Sequence, residues 1–221
     1  MTIIVVNKNE MIVDRLIWSN DHGYRDMYGD TIKNTGQSPR VATVPKMRKV
    51  KGNAKIAVVT FCGANTPLIT SIMDQLDNSN LTLNDIFITM SKYNMKYLPD
   101  TAARLITLST SGKIDSLNIS EGSLKYVNYT EGDHSHVFGS GLDWLYPFEG
   151  GVSTMKDHLS PEELIIMAQC FSFNFGTNYD RYCLETDTIE LVEPTMTHRK
   201  KVHKAAMRKI TSMSPLHPSL S

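Results

Sequence analysis

Cysteine is scarce in this chain: three in 221 residues, Cys62, Cys170 and Cys183. An odd count without metal-ligand spacing argues against a disulfide framework or a zinc site and for reduced core thiols. Long apolar runs are also missing. Lys55 to Cys62 is among the longest, far short of the roughly 20 residues that a spanning helix needs. The apolar start lacks the basic flank and cleavage site of a secretory signal. No membrane contact is therefore expected, and the cytoplasm is the expected compartment. No Rossmann or P-loop glycine pattern appears, which argues against a nucleotide cofactor. His134 and His136, with Asp133, have no third ligand in sight and read as a polar strand edge. We expect neither cofactor nor metal.

Acidic residues are absent after Glu193, whereas Arg199, Lys200, Lys201, Lys204, Arg208 and Lys209 follow it. The formal net charge is zero, so the body carries the compensating acidic excess. Val202, Ala205, Ala206, Met207 and Ile210 interleave with these cations as in a short basic helix, ahead of a Ser/Pro-containing end. Residues 193–221 thus read as a basic tail, either solvated and self-docking or in contact with nucleic acid or another acidic partner.

What is present begins with Thr2. If Met1 is removed, one residue supplies a hydroxyl nucleophile and an α-amine base, whose ordinary pKa of roughly 7.7–8.0 suits neutral pH. The Ile/Val run 3–6 behind it reads as a strand, and residues 2–7 and 11–18 form a hairpin through Asn7 to Glu10. Residues 19–37, rich in Asp, Asn and Gly, read as a long loop. Residues 41–50 and 55–62 add two strands, which completes a first four-stranded block. Thr66-Pro67 and Thr82 to Asp85 mark the starts of two helices, the second running to about Tyr97. Strands at 104–110, 113–118, 124–129 and 134–138 follow. Ser160-Pro161-Glu162-Glu163 opens a third helix to about Phe175, and a last strand pair covers 180–184 and 188–192. Amphipathic sheets in this order predict an α+β fold, a four-layer α-β-β-α sandwich.

This order, the Thr2 start and several short motifs together resemble the proteasome-like β-subunit family of N-terminal nucleophile (Ntn) hydrolases. The resemblance takes in the bacterial heat-shock proteasome-like peptidase and phage-encoded relatives, and covers residues 1–192 as one domain. Met1 to Val6 looks like the nucleophile-bearing strand, and Met11 to Arg15 like the second strand, which carries an Asp, here Asp14. Val44 to Val50 is similar to the stretch with the catalytic lysine, here Lys46. Ile56 to Gly63 resembles the strand and turn that supply oxyanion-binding N–H groups, here about Thr60 and Gly63, and Phe138-Gly139-Ser140-Gly141 is similar to the G-S-G turn beside the nucleophile.

The resemblance implies catalytic roles for Thr2, Lys46, Asp14 and Ser140 and backbone roles for Thr60, Gly63, Gly139 and Gly141. Lys46 would lower the pKa of the Thr2 amine and hydroxyl, and Asp14 would orient Lys46. Each piece also has a plainer reading: Lys46 lies in a cationic run that suits a solvated strand face, Asp14 ends a strand, and Gly139-Ser140-Gly141 is a flexible turn.

Two features depart from the family pattern. No acid stands in the segment Ser172 to Gly176, where a supporting Asp is usual, and Thr60 occupies a position where Gly is common. Two functions follow. One is a threonine peptidase, dependent on removal of Met1. The other is a catalytically inactive structural or interaction subunit that modulates a host if phage-encoded, in which case the host cytoplasm is its compartment. The family further implies a homo-oligomer, such as a ring, a peptide or protein substrate, and a separate ATPase.

Overall fold

The computed structural model describes residues 2–19, 23–25, 31–33, 40–43, 45–63, 67–92, 102–120, 122–129, 134–139, 155, 157–171 and 176–213. Ten strands form two antiparallel sheets of five. The first has the order β12 (His136–Gly139), β1 (Ile3–Val6), β2 (Glu10–Asp14), β13 (Tyr179–Cys183), β14 (Thr188–Val192). The second runs β11 (Ser123–Asn128), β10 (Ile114–Ser120), β9 (Ala103–Ser109), β8 (Ile56–Gly63), β7 (Met47–Lys49). Two ribbons, β3 (Leu16–Ser19) with β6 (Arg40–Thr43) and β4 (Gly23–Arg25) with β5 (Thr31–Lys33), stand apart from the sheets.

The β1–β2 hairpin closes where the sequence places it. Asn7 Oδ1 accepts from the N–H groups of Asn9 and Glu10, both at 2.9 Å, which is the local bonding that makes Asn a turn residue. Four consecutive apolar residues suit β1 because both its faces are buried. Ile3 and Val5 join one core cluster, and Ile4 and Val6 another.

Among the described residues the helices are α1 (Pro67–Leu76), α2 (Leu83–Met90), α3 (Pro161–Phe171) and α4 (Met196–Met213). Ile69, Ile72, Met73 and Leu76 form the buried stripe of α1. Thr82 caps α2 reciprocally: its N–H donates to Asp85 Oδ2 at 2.8 Å and its Oγ1 accepts from the Asp85 N–H at 3.3 Å. Ser160 and Glu163 repeat the device on α3, at 2.8 and 3.2 Å. The capped α2 stops at Met90, seven residues before the expected end at Tyr97.

Three apolar clusters hold these parts together. One joins α3 and α4 to β1, β2 and β13, one joins α1 and α2 to β8, β9 and β10, and one lies between the sheets. Each fully buried large aliphatic side chain in them contributes about 1.5–3 kcal/mol.

The expected architecture is corrected here. The described residues make an α+β structure with two five-stranded antiparallel sheets and four helices, not the Ntn-type four-layer sandwich that the resemblance implied. The strands expected to form one four-stranded block divide, β1 and β2 entering the first sheet and β7 and β8 the second. Residues 11–18 do not make one strand, because the chain leaves the first sheet after Asp14 and β3 pairs instead with β6. In the segment read as a basic tail with a short helix, the helix is α4, whose Ala206 is fully buried with Val202, Met207 and Ile210 packed against the same cluster. Hairpin chemistry is local, whereas sheet membership depends on contacts between distant residues. No helix among the described residues is long and apolar enough to cross a membrane.

Candidate active site

Thr2 sits half-buried at the head of β1, and the residues after it are held by Asp14. The fully buried Asp14 carboxylate uses both oxygens: Oδ1 accepts the Ile3 N–H at 2.7 Å, and Oδ2 accepts from Lys46 Nζ at 2.8 Å. The Lys46 ammonium also donates to the Leu16 carbonyl at 2.6 Å and to Thr2 Oγ1 at 3.3 Å. Three acceptors for three protons fix its position. Lys46 is 4 % exposed, so its neighbours in the run, Arg48 and Lys49, tell nothing of its place. They pair with Asp77 and Asp187 instead.

Burial governs the electrostatics. It raises the Asp14 pKa and lowers that of Lys46, while their ion pair and the Ile3 N–H oppose both shifts. Lys46 therefore gives up a proton more readily than a surface lysine. A second carboxylate, which the sequence reading did not single out, acts on the same cation. Asp180 lies on β13 opposite Val13 of β2, takes Arg15 Nη1 at 2.6 Å, and adds to the field that keeps Lys46 charged. Burial raises the Asp180 pKa, opposed chiefly by Arg15. The signal that would have found it is the β2–β13 pairing, which no local pattern encodes. Asp180 is a nearby acid where the 172–176 segment offers none; residues 172–175 lie outside the described residues.

The backbone positions fall differently. Thr60 is fully buried inside β8 between Met47 and Ile106, and its Oγ1 donates to the Lys46 carbonyl at 2.5 Å, so its side chain buttresses the lysine rather than crowding the cleft. Gly63 and Gly139 border an open cleft of about 670 Å³, together with Thr2, Cys62, Arg104 and Asn118. Ser140 and Gly141 lie outside the described residues.

Gly139 has φ +86°, and a Cβ there would stand 2.2 Å from the Thr2 carbonyl oxygen. A left-handed backbone and a backbone obstacle both demand glycine. Gly139→Ala is expected to cost about 1–3 kcal/mol and to push Thr2 away from Lys46. Urea denaturation and activity on the same preparation check this.

Cys62 is a possible rival nucleophile at this cleft. Burial pushes its thiol up to about 11, against the fields of Arg104 and Lys46, so it stays protonated near neutral pH and is a poor nucleophile. Among the described residues no group of three His, Cys, Asp or Glu side chains is placed to hold a metal ion. His134 and His136 pack ring against ring, with centroids 4.7 Å apart.

The arrangement is that of a nucleophile candidate, a buried cation that touches it, and an orienting carboxylate, on an α+β scaffold of two packed sheets. Solved structures to which this fold is similar include Anbu proteins, one of them described as the ancestral β-subunit. Anbu from Yersinia bercovieri matches over 100 % of this chain and 99 % of its own, with a TM-score of 0.55 and 8 % identity. The Gly-1 mutant of Anbu from Hyphomicrobium sp. strain MC1 matches over 97 % and 98 %, with a TM-score of 0.53 and 10 % identity. Anbu from Pseudomonas aeruginosa, solved as a helical assembly, matches over 99 % of each chain with a TM-score of 0.51 and 11 % identity. No protein-family model and no curated protein matches the chain. The assignment to the Ntn-hydrolase family beside the heat-shock peptidase and phage-encoded relatives is thereby corrected. The structural neighbours are Anbu proteins, proteasome-like relatives that form a distinct family, and at these identities the likeness is one of fold.

Proposed function

We propose that this protein is a proteasome-like β-subunit relative that hydrolyses peptide bonds with Thr2 as nucleophile once Met1 is removed. The observation that carries this reading is the Lys46 Nζ contact with Thr2 Oγ1, backed by Asp14. In the forward step the freed α-amine takes the Oγ proton while Oγ adds to the scissile carbonyl carbon. The C–N bond then breaks, the proton passes to the departing amine, and an ester to Thr2 remains. Water activated by the same amine cleaves that ester and restores the hydroxyl. Lys46 stays charged during attack and stabilises negative charge growing on Oγ. Gly63 and Gly139, at the cleft, are the candidates to present backbone N–H groups to the oxyanion.

The test is mass spectrometry on protein isolated from its native source. Met1 is expected to be absent, and a peptide epoxyketone, which needs both Oγ and a free α-amine, is expected to add one reagent mass at Thr2. Quantitative retention of Met1 there, with no adduct, would sink the reading in favour of a catalytically inactive interaction subunit. Self-association also belongs to the proposal, supported by the helical assembly of the Pseudomonas aeruginosa Anbu. Light scattering is expected to give a mass several times that of one 24.8 kDa chain; a clean monomer speaks against it.

A further inference from the structure

The floor of the cleft has a charge pattern that the proposed chemistry leaves unused. Cys62, Arg104, Asn118 and Lys125 are successive cross-strand partners on β8, β9, β10 and β11. They form one row across the second sheet, with neighbours roughly 4.5–5.5 Å apart. Strand alternation puts Arg104 on the same face as Ile106 and Leu108, which belong to the cluster between the sheets. Arg104 thus faces the open end of that space, where Thr2 and Gly139 also lie. A Cβ on Gly139 would meet Thr2 on one side and Cys62 Cβ at 3.7 Å on the other, so little more than a residue's width separates the nucleophile from this row.

The guanidinium is held in place from two sides. Its Nε donates to Asn118 Oδ1, and its Cζ stands 5.6 Å from the Phe138 ring centroid. This fixes the plane of a guanidinium that lines the cleft and, among the described residues, leaves its Nη groups without a hydrogen-bond partner, the side of the fork that takes a carboxylate in two hydrogen bonds. Among the described residues no carboxylate pairs with Arg104 or with the exposed Lys125. The two buried acids whose fields act on Lys46 are committed elsewhere, Asp14 to Lys46 and Asp180 to Arg15. A half-buried cation, preorganised and without a counter-charge among the described residues, is built to receive one from a ligand.

We propose that the cleft selects peptides with an acidic side chain beside the scissile bond, the Asp or Glu carboxylate docking on Arg104 with Lys125 reinforcing the field. This names the substrate class of the proposed peptidase and rests on that reading for the cleavage, though not for the binding.

The experiment uses the full chain carrying Thr2→Ala, so that bound peptide persists, and fluorescein-labelled peptide pairs that differ only by Glu or Gln at one position. Fluorescence polarisation is expected to show a Glu peptide bound about tenfold or more tightly than its Gln twin. Arg104→Met brings the ratio to about one, and Arg104→Lys, which keeps the charge but not the fork, retains an intermediate preference. Equal or undetectable binding of every Glu and Gln pair overturns the proposal, as does a ratio that Arg104→Met leaves unaltered. Cleavage by the Thr2 protein is scored separately. Glu-selective binding without cleavage overturns the peptidase reading and upholds the acidic subsite, whereas cleavage indifferent to Glu overturns the subsite alone.

Discussion

Thr2→Ala is expected to remove the proposed peptide hydrolysis, with a fall in kcat of about 10⁴-fold or more, because the substitution deletes the atom that forms the covalent intermediate of the proposed mechanism. The fold stays intact. Thr2 is half-buried at the edge of the cleft, and its hydroxyl receives only one of three Lys46 hydrogen bonds, at 3.3 Å, the longest of the set. Losing that bond costs at most about 1 kcal/mol, and the lysine keeps Asp14 and the Leu16 carbonyl. Thr2→Ser retains the nucleophile and is expected to hold a substantial part of the rate. Steady-state cleavage of a fluorogenic peptide, with unfolding midpoints measured in parallel, gives both answers. An alanine variant as active as the parent rejects Thr2 as nucleophile, and with it the proposed mechanism.

Met1 decides whether this experiment has a parent activity to lose. With Met1 in place the α-amine of Thr2 is an amide nitrogen and has no basicity. Any activity lost through Thr2→Ala then tracks the fraction of chains from which Met1 has been removed, a fraction that intact mass reports on the same sample.

The sequence carried the local parts of this molecule well. Asn7 wrote the first hairpin through its side-chain bonds, and the Thr82 and Ser160 caps wrote the starts of two helices, because each depends on groups within three residues. The pairing of β2 with β13, which brings Asp180 toward Lys46, joins residues over 160 positions apart and leaves no local trace. The same holds for Arg104, whose meaning arises only when β9 lies beside β8 and β12 closes over both. Lys46 shows the limit from the other side. Its run of cations reads as a wet strand face, yet Lys46, just ahead of β7, and Arg48 on it reach buried or half-buried acids, whereas Lys49 stays outside. Charge in sequence says how many partners are needed, not where they come from.

The buried Asp14–Lys46 pair carries the largest stability effect expected for a single substitution. Asp14→Ala leaves an ammonium 4 % exposed without its carboxylate, and frees the Ile3 N–H that Asp14 Oδ1 had taken. Breaking one side of such a pair costs about 3–5 kcal/mol, a large share of the roughly 5–15 kcal/mol that holds a protein together. The deficit has a pH signature. Without Asp14 the folded-state pKa of Lys46, already lowered by burial, falls further, whereas in the unfolded chain it returns to about 10.4. Between those values the unfolded state binds the extra proton, so the stability of the variant rises with pH. The unpaired-cation part of the deficit is therefore full below the folded pKa, fades between that value and about 10.4, and is gone above it. Urea unfolding of both proteins from neutral to alkaline pH measures the difference directly. A deficit that stays constant over that range assigns the loss to the cavity and the orphaned Ile3 N–H instead. Asp14→Leu combined with Lys46→Met removes both charges and is expected to recover most of the stability, short of about 1–3 kcal/mol for that N–H. Since the double variant has no cation beside Thr2, it folds without hydrolysing peptide, which separates what the pair does for the structure from what it does for the chemistry.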